Sequence, residues 1–483
     1  MFKHTFYQRL AAGRDTFLKR VAEDVAPKLG MADEWRGVIS LTGSNSARPG
    51  YLRTDMIRRI AEGACGPTGL DAIGENIRQV VKEAYGDHYD AVSFCTCEAA
   101  LWASLETLAA PSMVGPGAGD RTRYIGLHEL YAQHHLSYGR PTPPLYKDFL
   151  SDRLQTAGEL GVLGRRLSGL DVVIVPVAGA RYEVHGIKPS VVSLLTDADP
   201  AATGKAVQEV IEGRGSPVTA ITTLGYETTG FGRGAKADDG TAALMVAMGE
   251  IARRYGVPYI VDKARGVPFL GSHPDAYSAD VVLFSMDKVA GALTSGLAIG
   301  REDRLIGLRR AMGVHSERFG GSPPHGKGRY AAFDPGREAL VSQLAALEWI
   351  RDNTDLIEAN AERLHQIAVE AFAALSERYP SAILIENTVD TGGVEINYTR
   401  TWNGDGFGIP LFTNEDAVAG TNLIANGLAQ LGIHPPGGEE GNLIVTPERG
   451  LLDEDGVLIE DRARVALTGL AQVLEVLSKM VEE

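Results

Sequence analysis

The sequence predicts an α/β protein with a mainly parallel sheet, and three observations lead to this prediction. Short apolar runs recur along the chain and end in loops, and the clearest are 218–224, 259–262 and 281–285. Between the first two, the segment 241–255 repeats apolar residues at helical spacing on one face. A strand, a helix and a second strand in this order form a βαβ crossover, and repeated crossovers build a parallel sheet.

Further apolar runs of the same type extend the sheet in both directions. Strands are expected at 91–95, 123–127, 172–178, 190–195 and 296–299. Two helices, 71–86 and 98–109, flank the first of these strands, because apolar residues recur in them at helical spacing. The sequence therefore predicts a sheet of the seven-stranded type with helices around it.

The chain is expected to divide into a large and a small domain. Residues 1–50 are interpreted as an N-terminal arm with a substrate loop, and residues 51–335 as the large domain. A connecting helix over 336–354, the first part of a long helical stretch, leads to a small α+β domain at 355–483. The strands and the last helix of that small domain are expected at 382–386, 393–397, 442–446 and 460–481.

Composition and charge narrow the possible function classes. The chain has 483 residues, of which 44% are hydrophobic and 23% are charged, which is ordinary for a globular protein with a large core. Its net charge of −15 disfavours contact with a phosphate backbone, so we expect no nucleic-acid partner. No apolar run approaches the length of a membrane span, and the N-terminus lacks the apolar segment of a signal peptide.

The three cysteines, Cys65, Cys95 and Cys97, are too few for a disulfide framework. A reducing, cytoplasmic location is therefore expected. Cys95 and Cys97 form a CxC pair, but the chain has no second pair, so no metal site is predicted.

Lys288 and Asp262 are the residues that indicate a chemistry, because each ends or closely follows a buried-type strand. Open α/β sheets bind ligands at the carboxyl ends of their strands. A lysine there can form a Schiff base with the aldehyde of pyridoxal 5'-phosphate (PLP), and a carboxylate can keep the ring nitrogen of PLP protonated. A surface lysine and a turn-capping aspartate are the simpler alternatives, but the order and spacing of the two residues favour PLP.

Two further positions are candidates for the cofactor phosphate. Thr96 and Cys97 stand where a strand passes into a helix, and a helix N-terminus binds phosphate through its N–H groups. An ordinary helix cap at Thr96 is the alternative. Ser285, three residues before Lys288, is expected to donate its hydroxyl to the same phosphate.

Other contacts with the cofactor are expected around the ring. Ala264 offers a flat surface under it, and Arg265 is placed within reach of its phenolate oxygen. His128 is expected to stack on the ring, with Tyr131 as the competing candidate. Ser322 lies in a turn of small residues and is expected to reach the phosphate of a neighbouring subunit.

The substrate carboxylate is expected to bind an arginine. Arg449 follows a strand of the small domain, and a guanidinium binds a carboxylate through two hydrogen bonds. Arg400 is the rival candidate. Ser44 and Asn45 are expected to complete the pocket.

Together these elements resemble the PLP-dependent enzymes of fold type I, the aspartate aminotransferase superfamily. The resemblance runs over roughly residues 40 to 470 in the order of elements. The usual pattern of that family is Asp-x-Ala followed later by Ser-x-x-Lys. Asp262, Ala264, Ser285 and Lys288 fill those positions here.

Two branches of the family look closest. The run from Asp262 to Arg265 is similar to the Asp-x-x-Arg of the β-eliminating lyases tryptophanase and tyrosine phenol-lyase, and 443–456 is similar to their carboxylate-binding segment. The run from Ser285 to Lys288 resembles the lysine motif of selenocysteine synthases, although the acidic charge speaks against a tRNA substrate. Cysteine-desulfurase chemistry is excluded, because no cysteine follows Cys97.

The resemblance implies a homodimer, or a dimer of dimers, with active sites at the subunit interface. It also implies a lyase that removes the α-proton of an amino acid and then eliminates or replaces its β-substituent, for example by cleaving a carbon–sulfur or carbon–selenium bond. Lys288 would move the proton, Asp262 would keep the ring protonated and Arg449 would orient the substrate. A PLP-dependent aminotransferase is the second hypothesis, and a non-catalytic α/β binding protein is the third.

Overall fold

The computed structural model describes the chain in fifteen stretches. They are 13–41, 52–111, 115, 120–128, 140–141, 169–178, 181–185, 190–194, 198–224, 235–313, 328–379, 383–397, 423–439, 442–448 and 450–482. The chain forms two compact units. The large unit comprises 52–181 and 195–353, and the small unit comprises 1–51, 182–194 and 354–483.

The described strands and helices are named here in chain order. The strands are β1 (Tyr89–Phe94), β2 (Thr122–His128), β3 (Arg140–Pro141), β4 (Leu170–Pro176), β5 (Arg181–His185), β6 (Ser190–Leu194), β7 (Val218–Leu224), β8 (Tyr259–Asp262), β9 (Val281–Ser285), β10 (Gly296–Arg301), β11 (Leu384–Thr388), β12 (Gly393–Asn397), β13 (Gly437–Glu439) and β14 (Asn442–Val445). The α-helices are α1 (13–20), α2 (Thr54–Cys65), α3 (Leu70–Tyr85), α4 (Cys97–Leu108), α5 (Pro200–Glu212), α6 (Ala243–Tyr255), α7 (Glu302–Ala311), α8 (Arg337–Asp352), α9 (Thr354–Arg378), α10 (423–430) and α11 (Glu460–Glu482).

The large unit is built on one sheet, which has eight strands among the described residues. Their order is β1-β10-β9-β8-β7-β2-β4-β3. Strand β10 is antiparallel to both of its neighbours, and every other neighbouring pair is parallel. The predicted α/β class with a mainly parallel sheet is confirmed.

The central strands of this sheet are buried along their whole length. Every residue of β1, β8 and β9 is buried. Parallel strands covered on both faces read as continuous apolar runs, which is why the sequence showed them. Small residues of α4, such as Ala100 and Ala103, let this helix pack closely in the core next to Leu283 and Ala298.

The small unit has an antiparallel sheet of four described strands in the order β11-β12-β14-β13. Its core gathers apolar residues of α9 and α11 with those of the sheet, including Leu364, Phe372, Ile396, Leu443 and Leu470. This is the predicted small α+β arrangement near the C-terminus.

Three elements differ from the sequence prediction. The strand expected at 190–195 does not join the main sheet, since β6 pairs with β5 in a separate two-stranded sheet. Strand β5 carries charged residues and no apolar run, so it was not predicted. The strand expected at 382–386 is β11, two residues later in the chain. Among the described residues, no helix is long and apolar enough to cross a membrane.

Candidate active site

The predicted chemistry collects at one edge of the main sheet. Strands β1, β9 and β8 run in the same direction, because β10 is antiparallel to both β1 and β9 and β8 is parallel to β9. Gly296 at the start of β10 pairs with Phe94 and with Ser285. Asp262 pairs with Leu283 near the end of β9. The carboxyl ends of three strands therefore bring Thr96, Asp262 and Lys288 to the same edge.

Asp262 is a buried carboxylate, with 1% of its surface exposed. Its Oδ1 atom accepts the backbone N–H of Ala264 at 3.0 Å and the thiol of Cys97 at 3.9 Å. Its Oδ2 atom is buried and has no hydrogen-bond partner among the residues that the structure describes. A buried carboxylate oxygen without a donor costs about 1–3 kcal/mol or more. The Oδ2 atom is therefore placed to receive an N–H group from a ligand.

Lys288 is partly buried and stands in a turn directly after β9. Its N–H group donates to the Ser285 carbonyl at 3.4 Å, and its carbonyl accepts the N–H of Gly291 at 3.0 Å. Gly291 has φ +70°, a conformation that favours glycine. In the described part of the chain, no carboxylate lies within ion-pair distance of the Lys288 ammonium. The amine is therefore available to a ligand.

Helix α8 holds the loop that carries Lys288. The hydroxyl oxygen of Ser342 accepts the N–H of Leu293 at 2.8 Å, and the Gln343 side chain donates to the Gly296 carbonyl at 3.0 Å. Both side chains are fully buried. Sequence reasoning missed them; the available signal was an adjacent pair of polar residues inside an apolar helix.

Thr96 forms the turn between β1 and α4. Its side chain is the N-cap of α4, and Oγ1 accepts the N–H of Ala99 at 3.0 Å. The Thr96 hydroxyl keeps its own proton for donation, and the residue is exposed. The first N–H groups of a helix have no partner inside the helix and favour an anion. The turn therefore has the properties of a phosphate site.

Cys97 connects this turn electrostatically to the other two residues. Burial raises the pKa of its thiol well above the ordinary value, and the charge of Asp262 raises it further. The positive charge of Lys288 acts in the opposite direction. Because such effects require short distances inside a protein, the thiol, the carboxylate and the amine lie in one site.

The Ser285 hydroxyl is already engaged. It donates to Oδ1 of Asp287 at 2.7 Å, and both residues are buried. A hydroxyl has a single proton, so in this arrangement Ser285 donates to Asp287 and not to a phosphate. A role of Ser285 at the phosphate stays a prediction and requires another rotamer of its side chain.

Comparisons with known proteins show the fold. No protein-family model and no curated sequence matches the chain. The structure is similar to pyridoxamine-pyruvate aminotransferase from Mesorhizobium loti, with a TM-score of 0.52 and 14% identity over 94% of this chain and 97% of that chain. It is also similar to a complex of SepCysS with the N-terminal domain of SepCysE, with a TM-score of 0.51 and 11% identity over 93% and 98% of the two chains. For SPT with PLP, the TM-score is 0.50 and the identity 12%, over 90% and 87%.

The chain has the fold of the fold type I PLP-dependent enzymes. At identities this low the likeness is one of fold, so the chemistry must come from the residues. Three residues that the fold type I pattern assigns to PLP, Thr96, Asp262 and Lys288, meet at one edge. They fit the cofactor, because PLP offers a ring N–H to the unpartnered Oδ2 of Asp262, an aldehyde to the amine and a phosphate to the helix N-terminus.

The remaining predicted contacts of a fold type I site stay predictions. Ala264 and Arg265 are buried beside Asp262, but no contact with a ring is tested. His128 ends β2 and so stands at the carboxyl edge of the sheet, but its side chain is not described. The other predicted positions lie outside the described residues: Ser44, Asn45, Tyr131, Ser322, Arg400 and Arg449.

Proposed function

We propose that this chain is a PLP-dependent lyase that removes the α-proton of an amino acid and then eliminates or replaces its β-substituent. One observation carries the PLP part of the proposal. The Oδ2 atom of Asp262 is buried without a donor among the described residues, at the same sheet edge as an amine that has no carboxylate partner there. A carboxylate without a donor and a free amine at one edge suit the two reactive ends of PLP.

Each residue has a defined task in this proposal. Bound PLP supplies an aldehyde and a ring that withdraws electrons from the substrate. Asp262 keeps the proton on the ring nitrogen, because its carboxylate accepts that N–H in a buried setting. Lys288 binds the cofactor through its amine and, once free, takes the α-proton as a general base. Thr96 and the N-terminus of α4 bind the phosphate.

The lyase assignment rests on the run from Asp262 to Arg265. All four residues are buried, and their order is similar to the Asp-x-x-Arg of the β-eliminating lyases. An aminotransferase is the second candidate, because Lys288 and Asp262 would serve it equally. We further propose that the enzyme works as a homodimer on a small amino acid, with Arg449, Ser44 and Asn45 around the substrate carboxylate.

The test of PLP binding is an absorbance scan of the purified protein after incubation with PLP. The wild type is expected to show the visible-edge band of PLP bound to a lysine, and Lys288→Ala is expected to lose it. Lys205→Ala, which changes an exposed lysine of α5, is the matched control and keeps the band. A wild-type protein that stays colourless would favour the non-catalytic binding protein.

A second experiment separates the two reactions. The protein loaded with PLP is mixed in turn with a panel of amino acids that carry different β-substituents. A lyase releases ammonia and a keto acid without a second substrate. An aminotransferase instead converts PLP into pyridoxamine phosphate and stops until a keto acid is added. The second result would replace the lyase with the aminotransferase.

A further inference from the structure

We propose that Cys97 is a positioning residue for Asp262, whose thiol holds one carboxylate oxygen so that the other alone meets the cofactor ring. The inference rests on the proposed function and deepens it. It concerns how the carboxylate is held and does not add a group that touches the substrate.

The hydrogen bonds of Asp262 are distributed unequally over its two oxygens. Oδ1 accepts from the Cys97 thiol at 3.9 Å and from the Ala264 N–H at 3.0 Å. Oδ2 has no donor among the described residues. Two donors on one oxygen fix the rotation of the carboxylate about its Cβ–Cγ bond, because turning it would break both. The unpartnered oxygen is therefore held in one direction.

The thiol is itself fixed in place by its neighbours. Cys97 is the first residue of α4 and follows the capping residue Thr96. The backbone of Gly296 packs against this turn so closely that a Cβ atom there would stand 2.5 Å from the Cys97 nitrogen. Strands β1 and β8 are not neighbours in the sheet, since β10 and β9 lie between them. The Cys97–Asp262 contact therefore links the phosphate-type turn to the carboxylate.

The thiol can donate only while it keeps its proton. Burial, the largest cause, raises the pKa of Cys97, and the charges of Asp262, Asp287 and Glu98 raise it as well. The opposing effect of Lys288 is outweighed. The thiol therefore remains protonated at neutral pH, where an ionised sulfur would repel the carboxylate instead of holding it.

The test uses the wild type, Cys97→Ala and Cys97→Ser, each loaded with PLP. Cys97→Ala removes one weak donor to the carboxylate, so we expect kcat to fall about threefold to tenfold with little change in KM. The pH midpoint of the bound-PLP absorbance is expected to shift in the same variant. Cys97→Ser keeps a donor and is expected to restore both in part. A purely structural role would lower the melting temperature of Cys97→Ala and leave the absorbance titration unchanged, which would overturn the proposal.

A double-mutant cycle tests whether Cys97 acts through Asp262. In the Asp262→Asn background, Cys97→Ala is expected to add little further loss, because the group that it positions is already changed. Losses that simply multiply would show that the thiol acts independently and would contradict the inference.

A readout without PLP separates this inference from the proposed function. In a protein whose other cysteines are serine, alkylation of Cys97 is followed in the wild-type and Asp262→Asn forms. The variant is expected to react faster at neutral pH, because the charge that raises the thiol pKa is gone. Equal rates would overturn the contact between the two residues. A protein that takes up no PLP but shows the faster rate would refute the proposed function and leave the contact standing.

Discussion

The backbone of Gly296 lies against that of Thr96, so that a Cβ atom built on Gly296 would stand 2.3 Å from the Thr96 carbonyl oxygen. Gly296 begins β10 and pairs with the last residues of β1 and β9. The side chain of Gln343 bonds to its carbonyl. One glycine thus supports both the phosphate-type turn and the loop of Lys288.

Gly296→Ala is expected to disturb this support. The new methyl group must displace backbone atoms, which costs about 1–3 kcal/mol as overpacking does in general. We expect a lower melting temperature and weaker PLP binding in a fluorescence or absorbance titration. Gly204→Ala is the control, since a Cβ atom there meets only the flexible end of Ile251 at 3.1 Å. Equal PLP affinity of Gly296→Ala and the wild type would contradict the assigned phosphate turn.

Asp262→Asn tests the role of the ring-facing carboxylate. The amide is neutral and cannot stabilise a protonated ring nitrogen, whereas the amine of Lys288 is untouched. PLP is therefore expected to remain attached, while turnover falls on the order of a hundredfold or more, as for loss of one preorganised electrostatic group. Steady-state kinetics measure this, with the exposed Asp303→Asn as the control. Undiminished kcat in Asp262→Asn would remove Asp262 from the site.

Asp90→Asn is expected to destabilise the fold. Asp90 is fully buried at the start of β1, and its Oδ2 atom lies 2.6 Å from Nη1 of Arg309. The change leaves the buried guanidinium with a weaker partner, and loss of one member of a buried pair costs about 3–5 kcal/mol.

Denaturant unfolding measures the effect of Asp90→Asn, and the matched control is Glu460→Gln. That control breaks an exposed pair with Arg363 in the small unit and is expected to leave the unfolding midpoint nearly unchanged. A similar midpoint for both variants would show that the buried pair does not stabilise the large unit.

Ser342→Ala is expected to loosen the lysine loop. The change removes the acceptor of the Leu293 N–H and leaves this group unsatisfied, at a cost of about 1–3 kcal/mol. Hydrogen exchange of the Leu293 amide should become faster in the variant. Ser478→Ala, whose hydroxyl is bonded locally within α11, should leave that amide unchanged. Unchanged exchange in Ser342→Ala would contradict the role of α8 as the support of the loop.

The sequence was informative where the signal is local. Strands β8 and β9 could be predicted because buried parallel strands are continuous apolar runs, and Asp262 and Lys288 could be singled out because each stands at or just past the end of one. Strand β3 has only two residues, so it has no run to detect.

The contacts that complete the site are not local. The Cys97 thiol and Asp262 are separated by 165 positions, and Gln343 and Gly296 by 47. Their meeting depends on the strand order, in which β10 inserts between β1 and β9. No spacing in the sequence indicates that insertion. The hydrogen bond from Ser285 to Asp287 is local, but the direction of a hydroxyl proton depends on the burial around it.

The central claim is that Lys288 is the residue that holds PLP. The most direct measurement is borohydride reduction of the protein incubated with PLP, followed by protease digestion and mass spectrometry of the peptides. We predict a pyridoxyl group on Lys288 and unmodified Lys263, although Lys263 is the buried lysine next to Asp262. A pyridoxyl group on Lys263 or another lysine, with Lys288 unmodified, would contradict the account.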